Sequence, residues 1–157
     1  MAIDFVHDQD IDLAIFTLTD KFNLDEWLST AKAGAFTPAF FEIFDLRRCN
    51  LNAMRSMDLA RFTRYLRSAM DYGRLIPGKS AILASDDGPR RFSPAHRLFH
   101  SFFIFAEENK LPRDFKLFTT AKDTLDWIGN RQITAKYAHA LRRDASDRGV
   151  DVAMKAS

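Results

Sequence analysis

Asp45 closes the apolar run "FFEIF" and is followed by Leu46, Arg47, Arg48 and Cys49, the chain's single cysteine. An acid at the end of a buried strand can accept a phosphoryl group. That chemistry needs a second acid after the first parallel strand to hold Mg²⁺ and a lysine after the last strand to contact the phosphoryl oxygens. Here the first strand ends in "TDKF", a single acid, and the last runs into "TTAKD", where Lys122 already belongs to a helix. Asp45 therefore reads as a structural acceptor for backbone N–H groups of the turn that follows it.

Other reactive residue types are tested the same way. His96 and His100 share one helix face, but Arg97, Leu98 and Phe99 stand between them, with no glutamate base and no third ligand in the pattern. His7 and His139 are distant in sequence. Two adjacent arginines would lower the Cys49 thiol pKa if they were close, yet the thiol has neither a resolving partner nor a histidine beside it, so it reads as a small apolar side chain. "PGKSA" at 77–81 echoes the end of a phosphate-binding loop but lacks the upstream glycine and precedes a strand. "SDDGPRRFSP" at 85–94 lies at the carboxyl end of a strand, where open α/β sheets place ligands. Arg90 and Arg91 are candidate anion-binding residues there, alongside Arg47 and Arg48 from the neighbouring strand end. No catalytic residue, metal site or cofactor is expected.

The elements that must position these residues follow from hydropathy patterning. Short apolar segments at 13–19, 40–46, 80–85 and 115–120 read as buried strands, and helical stretches separate them, so these strands should run parallel. "IDFVHD" at 3–8 should pair with the first of them as an antiparallel hairpin through Gln9 and Asp10. The fold class is α/β, a mixed five-stranded sheet with about four helices and a C-terminal tail helix. Asn23 with Glu26 forms a capping-box pattern closed by Gly34; residues 57–72 form an amphipathic helix stopped by Gly73; Ser93-Pro94 opens a third, apolar helix; Thr120 and Asp123 cap a fourth. After Gly129 the pattern changes to a narrow stripe of Ile133, Tyr137 and Leu141 on a polar segment, with fraying from about Ser146. The domain is thus residues 1–129, with a helical tail at 130–157 that either packs on its own domain or forms a homodimer with a second copy.

Composition bounds the function. A chain of 157 residues with one cysteine, no basic-then-apolar leader and no run approaching the ~20 apolar residues of a membrane span suits a single cytoplasmic domain. The net charge of +2 is too slight to argue for nucleic acid; residues 130–157 carry six Lys/Arg against three Asp. Fifteen phenylalanines imply a thick core, a hydrophobic cavity or a buried partner surface.

The order ββαβαβαβα, the strand "FEIFDL" and the closing "FKLFTTAKDTLDWIG" resemble the small bacterial proteins of the STAS fold, the fold of sulfate-transporter cytoplasmic domains and anti-sigma-factor antagonists. More narrowly, residues 3–129 are similar to STAS-like proteins grouped with the CRAL-TRIO lipid-transfer fold. The resemblance implies a non-enzymatic regulatory module that binds a protein partner such as a regulatory kinase or a transporter. Docking would use the 45–67 loop and helix, with Arg47, Arg48, Ser56, Arg61, Arg64 and Arg67 as contacts. The phosphorylated serine of anti-sigma antagonists sits in an Asp-Ser pair; "DLRRCNLNAMRSMD" has none, and Ser56 is the nearest hydroxyl. Ser56 reads first as a helix cap and second as a candidate phosphorylation site, where a phosphate would meet the positive helix end and Arg55. The alternative is a carrier of a small hydrophobic, lipid-like ligand, with Phe99, Phe102, Phe103 and Phe105 lining its cavity.

Overall fold

Alternation of apolar and polar residues along the first strand, β1 (Ala2–Asp8), lets one face pack while the other meets solvent. β1 pairs antiparallel with β2 (Leu13–Lys21), Asp8 opposite Leu13 and Ala2 opposite Thr19. The connection is longer than the two-residue turn expected: a 3-10 turn at Gln9–Ile11 followed by Asp12 in the left-handed region, φ 50°. A two-residue hairpin turn favours Asn-Gly or Gly, which this segment lacks, so the turn is spread over more residues. The computed structural model describes residues 1–85 and 94–142.

The remaining strands are β3 (Phe41–Asn50), β4 (Gly78–Leu83) and β5 (Arg113–Phe118), and β2 to β5 are all parallel in the sheet order β1-β2-β3-β4-β5. The mixed five-stranded α/β sheet read from the sequence is the one observed. α1 (Leu24–Lys32), α2 (Ser56–Asp71) and α3 (Pro94–Glu108) make the crossovers. Successive right-handed crossovers stepping in one direction put their helices on one face of a sheet. All three helices accordingly share one core with Ala14, Phe16, Leu18 and Ile82. The odd-numbered neighbours Leu13, Ile15, Ile43 and Ala81 face the other way, beneath α4 (Ala121–Ile128) and α5 (residues 131–142).

Local capping chemistry sets the helix ends. Asn23 Oδ1 accepts from the Glu26 N–H at 3.1 Å, and Thr120 Oγ1 accepts from the Asp123 N–H at 3.1 Å. Gly129 closes α4 in the left-handed region at φ 68°. Asn130 Oδ1 then accepts from the N–H groups of Gln132 and Ile133, starting α5. No helix among the described residues is long and apolar enough to cross a membrane.

Of the two arrangements expected of the tail, packing on its own domain is the one observed. Ile133 and Leu141 are buried in the second core and Tyr137 packs against it. The residues offered for a homodimer are therefore spent inside the same chain. Asp8, at the end of β1, fastens the helix: its Oδ2 accepts from Lys136 Nζ at 2.6 Å and from the Tyr137 hydroxyl at 2.7 Å.

Candidate functional site

Asp45 does not end its strand. β3 continues to Asn50, and its register against β2 slips: Thr17 faces Asp45 while Thr19 faces Arg48. β3 thus carries one extra residue, a bulge, and a bulge leaves backbone groups outside the ladder. Asp45 Oδ1 accepts the Arg47 N–H at 3.2 Å, and Ser85 Oγ donates to the Arg47 carbonyl at 2.7 Å. The Arg47 side chain folds back as a fork, Nε to Oδ1 at 2.9 Å and a terminal nitrogen to Oδ2 at 2.8 Å. The backbone acceptor role expected of Asp45 is present, in a bulge instead of a turn.

The same fork corrects the assignment of Arg47. Its side chain is only 6% exposed and its charge is matched by Asp45, so it is not available to a partner or an anion. Arg48 is exposed at the same strand end. Arg90 and Arg91 lie outside the described residues. A polar cavity of about 190 Å³ does occur at these strand ends, lined by Cys49–Asn52, Ser85 and Ala95 among others, but neither Arg47 nor Arg48 lines it.

Ser56 is one residue too late to cap α2. Arg55 holds the N-cap position, and the Asp58 carboxylate accepts its N–H at 2.9 Å. Ser56 is the first helical residue and is exposed. Arg61, Arg64 and Arg67 are all exposed along the helix, as their spacing implied. Arg61 is tied to Asp25 of α1 at 2.6 Å, and Arg67 contacts the Met70 sulfur at 3.7 Å. Cys49 is half-buried, and burial pushes its thiol pKa up to about 11, opposite to the effect expected from its arginine neighbours. His96 Nδ1 is buried without a hydrogen-bond partner among the described residues, and His100 is exposed. No group of three potential metal ligands occurs among the described residues.

Two further features matter; the first escaped the sequence reading and the second was read there only as an alternative. The first is Arg113, which opens β5. It donates to the carbonyls of Ala39, Phe40, Ile76 and Lys79 and to Ser80 Oγ, at 2.7–3.0 Å. Its Nε lies 2.8 Å from Glu42 Oε1, which also accepts from Ser80 Oγ at 2.9 Å. Burial raises the Glu42 carboxyl pKa, against the opposing pull of Arg113 and Ser80. Arg113 so welds the loops preceding β3 and β4 that a Cβ on Gly78 would fall 2.1 Å from the Phe40 carbonyl oxygen.

The second is an apolar cavity of about 110 Å³ between the sheet and the three crossover helices. Its walls are rings in mutual contact: Phe44 stacks on Phe16 at 4.5 Å, Phe16 meets Phe36, Phe36 meets Trp27, Trp27 meets Phe62, Phe62 meets Phe102, and Phe102 meets Phe115. Thr37 and Arg74, the exposed members of the lining, mark where it approaches solvent. Of the four phenylalanines expected to line a cavity, Phe99 and Phe102 do; Phe103 and Phe105 pack against the same core from outside it. Glu42 and Asp58 are the acids in the lining.

No family model matches the chain, and no curated protein matches it. Among solved structures the chain is similar to the crystal structure, at 2.25 Å resolution, of an uncharacterized protein of the DUF3478 family with a SpoIIAA-like fold from Shewanella loihica PV-4. The two share 24% identity over 81% of this chain and 92% of that one, with a TM-score of 0.40.

Proposed function

We propose that this chain is a non-enzymatic binding module whose site is the ring-walled cavity beneath α1, α2 and α3. The observation that carries this reading is the cavity itself, a space that so many phenylalanines in mutual contact leave unfilled. Packed interiors hold few voids larger than a water molecule. An apolar cavity of roughly 150 Å³ stays dry and takes benzene; at about 110 Å³ this one takes a single ring or a short branched chain at most. It is too small for the long acyl chain of a lipid carrier, which narrows the lipid-like alternative to a smaller ligand. The carboxylates of Asp45, Glu42 and Asp8 are each matched to a cation of the same chain, which supports binding over acid–base chemistry.

Titration of the ¹⁵N-labelled protein with toluene tests the reading. Amide shifts should move at Phe16, Trp27, Phe62 and Phe102 and saturate. Toluene at its solubility limit leaving these amides unmoved would remove the cavity as a binding site.

A second reading, a protein-docking surface on α2, is favoured by its exposed basic stripe. Arg64 has no ion-pair partner among the described residues, and Met57 beside Ser56 is 73% exposed. Under this reading Arg48, Ser56, Arg61, Arg64 and Arg67 meet an acidic protein surface, and a phosphate on Ser56 would weaken the contact by opposing its charge. Arg64→Glu with Arg67→Glu should then abolish retention of the acidic partner in a pull-down; undiminished retention would place docking elsewhere.

A further inference from the structure

Glu42, on the cavity wall, offers an acceptor that no described residue fills. Glu42 Oε1 is occupied by Ser80 Oγ and Arg113 Nε. Every other guanidinium donor named above is committed to a backbone carbonyl, so Arg113 cannot turn to serve the second oxygen. Ser80 has its one hydroxyl proton on Oε1 while accepting from Arg113 Nε. Oε2 is left without a hydrogen-bond donor among the described residues, on a side chain 12% exposed that lines the apolar cavity. Oε2 is not sealed from solvent, so an apolar ligand that displaces water from it leaves a carboxylate oxygen unpaired, a cost that a ligand supplying a donor avoids.

The charge state of the pair selects the kind of donor. Arg113 already balances Glu42, so an ammonium group would bring an unmatched positive charge into apolar surroundings. A neutral O–H or N–H brings none. The ring walls and the volume limit the rest of the molecule to about one aromatic ring. Resting on the cavity reading above, we infer that the ligand class is a small aromatic molecule carrying one neutral hydrogen-bond donor, a phenol or an N–H heteroaromatic, whose donor is accepted by Glu42 Oε2.

The protein is titrated with phenol and with toluene, followed by ¹⁵N shifts, in the wild type and in Glu42→Gln. Phenol should bind about tenfold more tightly than toluene, the ratio for one hydrogen bond to a charged acceptor, although toluene is the more hydrophobic. In Glu42→Gln the amide can present N–H in place of Oε2; toluene should still bind and the preference for phenol should vanish. Toluene binding without a phenol preference overturns the donor assignment and leaves the cavity reading standing. A phenol preference that survives in Glu42→Gln also overturns it, by placing the acceptor elsewhere. Neither probe binding sinks both. Should Glu42→Gln fail to fold, intermolecular NOEs in the wild type decide: phenol protons ortho to the hydroxyl against the Glu42 methylenes support the assignment, and a hydroxyl edge turned away from Glu42 overturns it.

Discussion

Arg47 and Asp45 are two residues apart on one strand and form a fork-to-fork ion pair across a β-bulge, Nε to Oδ1 at 2.9 Å and a terminal nitrogen to Oδ2 at 2.8 Å. The pair fills its own needs, so its role is to fix the backbone of β3. Removing one member strands the other's charge in the interior. Asp45→Ala should lower unfolding free energy by about 3–5 kcal/mol, measured by urea denaturation. Asp45→Leu with Arg47→Met, which removes both charges, should recover most of that loss. A single mutant within 1 kcal/mol or so of the wild type would show that the pair is not the fastening of the bulge.

Gly78 should tolerate no side chain for a steric reason, independent of φ. Its Cβ would meet the Phe40 carbonyl oxygen at 2.1 Å and an Arg113 nitrogen at 2.7 Å. Gly78→Ala must push Arg113 off its carbonyls and should cost at least about 3 kcal/mol, the upper end for overpacking. Gly34 provides the contrast: φ is 80° with nothing within 4 Å of a built Cβ, so alanine there should cost only about 1 kcal/mol of backbone strain. Equal thermal shifts for the two variants would contradict this division.

Docking of α5 should depend on pH at both extremes. Hydrogen bonds from Lys136 and Tyr137 hold the Asp8 carboxyl below its ordinary 3.8, so its contribution is present above that value and is lost as pH falls through the lowered one. Burial, then the bond to Asp8, raises the Tyr137 phenol above its ordinary 10.0; that contribution is present below pH 10 and is lost as pH rises through the raised value. Tryptic cleavage after Lys136 and Arg142, corrected for protease activity with a denatured control, should accelerate toward alkaline pH in the wild type. Tyr137→Phe should reduce the alkaline acceleration and leave the share of Lys136, whose ammonium is held above its ordinary 10.5 by its bond to Asp8. An undiminished acceleration in that variant would assign the whole effect to another group.

Cys49 should be nearly inert. With its thiol near pKa 11, the thiolate is scarce at pH 8, and iodoacetamide should alkylate the native protein about a hundredfold more slowly than the urea-unfolded chain. Comparable rates in the two states would mean that the thiol is neither buried nor shifted.

The parts of this protein legible in its sequence are those set by neighbours a few residues apart. Asn23, Thr120, Gly73 and Gly129 mark helix ends through hydrogen bonds or backbone angles within one turn, and all four hold in the structure. The alternation that places Phe16 and Leu18 on one face of β2 and Ile15 on the other is equally local, and with the helical spacers it dictated a mixed sheet. Even locally, a charged side chain could mislead: Arg47 looked like a surface contact because nothing in "DLRRC" announces a bulge that turns it back on Asp45.

Tertiary structure alone decided the rest. Glu42, Ser80 and Arg113 sit on three different strands and become one network only when β3, β4 and β5 align, so no spacing rule could have joined them. The cavity is a difference between the volume the helices enclose and the volume the rings fill, a quantity that no single segment carries. The tail stripe had the pattern of an interface in either case; that it closes the second core of its own chain follows from where α4 leaves the sheet and from the hold of Asp8 on Lys136 and Tyr137.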